Sequence, residues 1–169
     1  MKSFISRIMR KPIYLIPVLI LAMACNGIYE NGKELAMDLK FSVNQISVED
    51  LKVKLENDEA FYLIDVRTNA EYEEGFINDK YDFNTYFKPV ILPLGILEFK
   101  IDDPIYWEDF YEDVPEKEST EIVIYSQNGD RGLLAANTLL QLGYKNISNL
   151  DGGYDKWLSL IGKTEGAGE

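Results

Sequence analysis

The chain has no histidine and only one cysteine among its 169 residues. Without histidine, a Ser-His or Cys-His pair of nucleophile and base is excluded. Zinc sites draw most of their ligands from histidine and cysteine, so we expect no metal site and no cofactor. A disulfide within the chain is excluded as well, because it needs two cysteines.

The long apolar run of the chain lies near its N-terminus. It extends from Pro12 to Ala24 and follows a segment without acidic residues. That segment holds four basic residues: Lys2, Arg7, Arg10 and Lys11. A basic start before a short apolar run is typical of a signal peptide. Because the run is shorter than the roughly 20 residues of a spanning helix, we expect residues 1–24 to be cleaved.

The single cysteine, Cys25, comes directly after this run. The segment Leu21-Ala22-Met23-Ala24-Cys25 resembles the bacterial lipobox, in which small residues precede a cysteine that receives a lipid. The resemblance implies a lipid anchor on Cys25 and a place in the bacterial cell envelope, facing the periplasm or the exterior. The alternative is an ordinary secreted protein that is cut near Ala24. That cut would leave Cys25 as a lone thiol, and in both cases Cys25 belongs to the N-terminus of the remaining chain and not to its domain.

Acidic residues outnumber basic ones, and cleavage increases the imbalance. Removing residues 1–24 with their four positive charges changes the formal net charge from −12 to −16. Such a charge excludes nucleic acid as a partner. Residues 26–42 are polar, contain glycine and show weak periodicity, so we expect residues 25–44 to be a lipidated N-terminus and tether. Residues 163–169 are predicted to be a flexible tail.

Strand and helix patterns alternate over residues 45–162, which we expect to form one domain. Apolar strands are predicted at Phe61–Val66, Val90–Pro93, Glu121–Tyr125 and Asn146–Leu150. Helices are predicted to begin at the capping residues Ser47 and Thr68, and to span Arg131–Leu142 and Gly153–Ile161. This alternation predicts an α/β fold with a mostly parallel sheet of about five strands, covered by helices on both faces.

Three segments in this order resemble the rhodanese-like domain of the sulfurtransferase family. They are Asp65–Ile77, Ile122–Gly132 and Gly143–Trp157. The resemblance implies a rhodanese-like fold over residues 45–162, with an aromatic insertion at about residues 78–89. It also implies that Ser126 occupies the position at which active members of the family have their catalytic cysteine.

The segment from Ser126 to Arg131 joins a predicted strand to a helix through a glycine-bearing loop. Such a loop directs several backbone N–H groups into one cup, which binds anions with the help of the helix dipole. We therefore expect an anion-binding loop made of Ser126, Gln127, Asn128, Gly129, Asp130 and Arg131. In active members this field lowers the pKa of the cysteine. An alcohol is far less acidic and forms no persulfide, so we predict no catalytic residue.

These observations favour a non-catalytic, envelope-anchored module that binds an anion or a protein. Two further departures from the family agree with this: Phe76 replaces a frequent histidine, and Gly132 replaces a frequent small hydroxyl residue. A thiosulfate or persulfide sulfurtransferase is the alternative, because the resemblance implies that reaction. Serine-based hydrolysis or phosphate transfer at Ser126 ranks last, since the chain lacks a histidine base and a Gly-x-Ser-x-Gly elbow.

Charged residues after the first buried strand are interpreted as structural. Asp65 is expected to bind loop amides, and Arg67 to pair with Glu71 four residues later. Arg131 is expected to pair with a carboxylate such as Asp65; the alternative is that it points at a bound anion.

Aromatic residues gather in two segments of the chain. The first contains Tyr81, Phe83, Tyr86 and Phe87, and the second contains Tyr106, Trp107, Phe110 and Tyr111. They either pack on the domain as an extra flap or form a surface for a protein partner, because aromatic residues are common in both places. The partners expected from the sequence are thus a membrane through the N-terminal lipid and a candidate protein at these aromatics.

Overall fold

The computed structural model describes residues 28–77, 89–110 and 112–162. Its strands are β1 (Asn44–Ile46), β2 (Tyr62–Asp65), β3 (Val90–Ile91), β4 (Glu121–Tyr125) and β5 (Asn146–Leu150). Its helices are α1 (Gly32–Leu39), α2 (Val48–Glu56), α3 (Asn69–Glu73), α4 (Leu97–Lys100), α5 (Pro104–Glu108), α6 (Asp130–Gln141) and α7 (Gly153–Leu160). The strands form one parallel sheet in the order β1-β5-β4-β2-β3. The predicted α/β architecture is confirmed.

Both faces of the sheet are covered, because the central strands place apolar side chains alternately on the two sides. In β4, Ile122 and Ile124 contribute to one core cluster, while Val123 contributes to the other. The first cluster includes side chains of α1, α4, α5 and α6. The second includes side chains of α2 and α7. The sheet is thus buried between two layers of helices.

Local capping signals in the sequence set the starts of two helices. The Ser47 side chain accepts a hydrogen bond from the Asp50 amide at 3.0 Å and caps α2. Thr68 and Glu71 form a complete capping box at the start of α3, with each side chain accepting from the backbone amide of the other. Both caps satisfy amides that lack a partner inside their helix. These predictions are confirmed.

The tether predicted for residues 26–42 is wrong for residues 32–39, which form α1. Asn31 caps this helix through its side chain, which accepts from the amides of Lys33 and Glu34 at 3.1 Å. Ala36 and Leu39 are buried in the first core cluster, together with side chains of α6. The helix is short, so we attribute its stability mainly to this tertiary burial.

The second aromatic cluster packs on the domain. Trp107 is fully buried and its indole donates to the Ile101 carbonyl at 2.8 Å. Tyr106 and Phe110 are partly buried against the same core. For these three residues the flap interpretation is confirmed. The side chain of Tyr111 and the first cluster, which contains Tyr81, Phe83, Tyr86 and Phe87, lie outside the described residues.

Several other predictions also lie outside the described residues. They are the signal peptide over residues 1–24, the lipidated Cys25 and the tail over residues 163–169. Within the described ranges, no helix is long and apolar enough to cross a membrane.

Candidate functional site

The predicted anion-binding loop lies at the carboxyl end of the sheet, between β4 and α6. Asp65 at the end of β2 is in register with Tyr125 at the end of β4. The segments that follow these two strands are therefore neighbours, which brings α3 beside the loop. In α/β sheets this edge is the usual place for a binding site, because the loops after parallel strands converge there.

Hydrogen bonds to α7 determine which way the loop peptides face. The amide of Tyr154 donates to the Ser126 carbonyl, and the amide of Asp155 donates to the Gln127 carbonyl, both at 2.8 Å. In a trans peptide the N–H points opposite to the C=O. The N–H groups of Gln127 and Asn128 therefore point away from α7 and into the loop.

These loop amides are available to a ligand. No acceptor within the described ranges receives a hydrogen bond from the amides of Gln127, Asn128 or Gly129. The amide of Asp130, in contrast, donates to the Asn128 side chain at 3.2 Å. Gly129 is the N-cap of α6 and has a φ of 92°, a conformation that favours glycine. The expected cup of N–H groups at a helix start is therefore present.

Two glycines, the N-cap Gly152 and the first residue Gly153 of α7, lie against the backbone of the loop. A Cβ on Gly153 would lie 2.2 Å from the Ser126 carbonyl oxygen and 2.6 Å from the Gly129 nitrogen. Both neighbours are backbone atoms, so no side chain fits there. Gly152 and Gly153 form a tight turn with positive φ values of 75° and 60°, and this turn allows α7 to approach the loop closely.

Ser126 is fully buried at the base of the loop. Its hydroxyl oxygen accepts a hydrogen bond from the amide of Gly132 at 3.1 Å, in the first turn of α6. The hydroxyl therefore stabilises the junction between loop and helix. Because the chain contains no histidine, the hydroxyl has no imidazole base to activate it.

Arg131 contacts a carboxylate, as expected, but the carboxylate belongs to Glu71. Its two terminal nitrogens donate to the two oxygens of Glu71 at 2.9 and 2.5 Å. The predicted partner, Asp65, is wrong. This two-pronged contact connects the start of α6 to α3 and neutralises the Arg131 charge, so that the guanidinium does not point free into the cup.

Asp65 and Arg67 form a buried ion pair beneath the loop. The Asp65 carboxylate accepts from the Arg67 guanidinium at 2.7 to 3.0 Å and from the Arg67 backbone amide at 2.9 Å. The amide contact predicted for Asp65 is confirmed. The predicted pairing of Arg67 with Glu71 is wrong, because each has another partner. The structural interpretation of all three side chains agrees with these contacts.

The electrostatics of the site follow from these ion pairs. The Arg131 guanidinium hydrogen-bonded to Glu71 lowers the pKa of that carboxyl to about 2, although its partial burial acts in the opposite direction. Burial lowers the pKa of Arg67, but its hydrogen bonds with Asp65 raise it further, so the net shift is upward. Glu71 and Arg67 thus remain charged over the physiological pH range.

Two side-chain contacts of the site were not predicted from the sequence, although Gln127 itself was predicted as part of the loop. The Gln127 side chain accepts from Arg67 at 3.1 Å and donates to the Asp155 carboxylate at 2.5 Å. The Arg67 guanidinium lies over the Tyr154 ring at 4.2 Å. A cleft of about 240 Å³ lies beside the loop and is lined by Gln127, Arg67, Tyr154 and Glu71, among others. Only the position of Gln127 in the loop motif indicated a role, and nothing local indicated Tyr154.

Comparisons with known proteins agree with this geometry. The model of the rhodanese-like domain family matches residues 47–160. A sulfurtransferase of Allochromatium vinosum is 31% identical over 115 residues, which are 68% of this chain and 88% of that protein. The structure of the human single-domain sulfurtransferase TSTD1 superposes with a TM-score of 0.59 at 27% identity, covering 70% of this chain and 97% of that one. This chain belongs to the rhodanese-like domain family.

Proposed function

We propose that this chain is a rhodanese-like domain that binds an anion in the Ser126–Arg131 loop and does not transfer sulfur. The observation that carries the proposal is the serine at position 126, which is where the family motif implies the catalytic cysteine. Sulfur transfer requires a thiolate that attacks the donor and holds the sulfur as a persulfide. An alcohol does neither at neutral pH, and no described residue is a cysteine.

The geometry of the loop supports anion binding independently of the residue at 126. The N–H groups of Gln127, Asn128 and Gly129 are backbone groups, and the twelve-residue helix α6 begins behind them. Two features oppose binding: the carboxylate of Asp130 inside the loop and the negative charge of the whole chain. We therefore expect weak binding, with a dissociation constant of about 1 mM, which corresponds to roughly 4 kcal/mol.

Titration with sulfate and with thiosulfate tests anion binding. The backbone amide resonances of residues 127–132 are expected to shift together and to saturate in the millimolar range. If these amide resonances do not shift at high sulfate or thiosulfate concentration while the chain is folded, the loop does not bind these anions. In that event the anion part of the proposal is wrong.

Two glycines of similar conformation provide a matched pair of variants for this titration. Gly129 in the loop and Gly143 after α6 have φ values of 92° and 98°. Alanine at either position introduces the same kind of backbone strain. Gly129→Ala alters the cup and is expected to abolish the shifts, whereas Gly143→Ala lies at the far end of α6 and is expected to preserve them. Equal loss in both variants would indicate an effect of stability alone.

A second candidate function is sulfur transfer between thiosulfate or a persulfide and an acceptor. The comparisons favour this candidate over the first, because relatives at about 30% identity are named sulfurtransferases. It requires a thiol, and the chain has one, Cys25. Variants that remove Ser126 and Cys25 separately therefore distinguish the two candidates.

The anchor is the remaining part of the proposal. A lipid on Cys25 would hold the chain at the cell envelope, in agreement with the basic and apolar residues that precede it. A terminus with two or more acyl chains anchors firmly, whereas a single chain binds only marginally. The module would then bind its ligand close to a membrane surface.

A further inference from the structure

A buried amide, the side chain of Asn149 in β5, lies next to the loop and has no role in the site described above. Asn149 is 1% exposed, and its Nδ2 donates to Oε1 of Gln45 at 3.0 Å. The Gln45 amide nitrogen donates to the carbonyls of Val43 and Asn44 at 3.1 and 3.3 Å. Since those two contacts require nitrogen, Oε1 of Gln45 is the atom that faces β5.

This chain of contacts fixes the orientation of the Asn149 amide. Its nitrogen has to face β1, where Oε1 of Gln45 accepts a hydrogen bond. Its oxygen, Oδ1, therefore faces the opposite way, and no donor in the described ranges reaches it. A buried carbonyl oxygen without a hydrogen bond is uncommon in folded proteins and calls for an explanation.

The Asn149 oxygen borders the base of the Ser126 loop. A Cβ on Gly132 would lie 2.0 Å from Oδ1 of Asn149 and 3.7 Å from the backbone nitrogen of Ser126. The oxygen thus fills the space that a side chain at position 132 would need. Gly132 is also the residue whose amide donates to the Ser126 hydroxyl. The unpaired oxygen and the hydroxyl therefore flank the same glycine.

An unpaired carbonyl oxygen is the negative end of a dipole, and its field is poorly screened in a dry interior. It opposes a negative charge nearby and has no such effect on a neutral hydroxyl. We infer that Asn149 is a positioning residue. Its Oδ1 dipole disfavours an ionised side chain at position 126 and so favours a neutral one, such as serine. The inference rests on the proposed function, in which Ser126 occupies the reactive position of the loop.

This inference predicts that a cysteine at position 126 is not sufficient to restore a reactive thiolate. The loop amides lower the pKa of such a thiol, whereas the Asn149 oxygen raises it. Replacing Asn149 by leucine removes the dipole, keeps a similar side-chain volume and keeps the space dry. The thiol pKa is then expected to fall by about one unit, which is about tenfold in thiolate fraction below the pKa.

The test uses the full chain with Cys25→Ser and Ser126→Cys, so that the side chain introduced at position 126 carries its single thiol. The ultraviolet absorbance of the thiolate is followed against pH with Asn149 present and in the Asn149→Leu and Asn149→Ala variants. A fall of the thiol pKa in the leucine variant supports the inference. An unchanged pKa in that variant overturns it, and so does a fall in the alanine variant alone, which would reflect water entering the space.

Asn149→Met replaces the leucine variant if that chain does not unfold cooperatively, and the same outcomes then apply. This experiment is independent of the test of the proposed function. It measures a thiol that the natural chain lacks, so its result does not depend on whether the loop with serine binds sulfate. Sulfur transfer by the unaltered chain would overturn the proposed function without changing the measured thiol pKa.

Discussion

At the scale of single residues, the contact of Arg131 with Glu71 connects the start of α6 to α3. Arg131 holds the Glu71 carboxyl ionised and lowers its pKa from the ordinary 4.5 to about 2. A carboxyl with a lower pKa in the folded chain contributes stability above its unfolded pKa. That contribution is lost as the pH falls from about 4.5 towards 2.

We expect Glu71→Gln to lower the free energy of unfolding at neutral pH by about 1 to 2 kcal/mol, a value reduced for partial solvent screening. The difference from the unaltered chain is expected to shrink below about pH 4.5 and to vanish near pH 2. Chemical unfolding at a series of pH values measures this difference in the free energy of unfolding. Glu73→Gln, an exposed carboxyl on the same helix, is the control. A difference that persists at low pH would contradict the pairing.

Residue contacts that span a few positions were predictable, and distant ones were not. The Thr68–Glu71 capping box and the Asp65 amide contact depend on residues two or three positions apart. The Arg131–Glu71 contact joins residues 60 positions apart, and only the register of β2 with β4 brings them together. From the sequence alone, Asp65 was an equally suitable carboxylate partner for Arg131. Only the packing of the folded chain shows that the partner is Glu71.

At the scale of elements, the central strands and the helices next to them were predictable because each has a strong local pattern. Strand β4 and strand β5 have the predicted bounds, and α6 starts and ends within one residue of its prediction. Helix α1 was missed because its segment is mostly polar, and its two buried residues, Ala36 and Leu39, are covered only by contacts with distant parts of the core. Its formation is a tertiary effect.

The packing of α1 on α6 predicts that alanine substitutions at buried and at exposed positions of α1 have unequal effects on stability. Leu39 is buried, whereas Met37 on the same helix is 59% exposed. We expect Leu39→Ala to lower the free energy of unfolding by about 2 to 3 kcal/mol, because it leaves a cavity in the core. Met37→Ala is expected to change it by less than about 0.5 kcal/mol. Denaturant titration compares them, and equal effects would indicate that α1 does not dock.

At the scale of the whole molecule, the proposed lipid anchor predicts the cellular distribution of the chain. Cys25→Ser removes the thiol that would receive the lipid. We expect this variant to move from the membrane fraction to the soluble fraction when the cells are fractionated, because an acylated terminus is the proposed link to the bilayer. Cys25→Ala serves as a second variant with the same expectation. Membrane association that survives both substitutions would contradict the anchor.

We propose that the Ser126 loop retains the anion-binding shape of the rhodanese-like family but does not transfer sulfur. The most direct measurement is thiocyanate formation from thiosulfate and cyanide by the unaltered chain, beside Ser126→Ala and Cys25→Ser. Because an alcohol cannot carry a persulfide, we expect no rate above that of buffer for any of the three proteins. Cyanide-dependent turnover by the unaltered chain that is lost in either variant would contradict it.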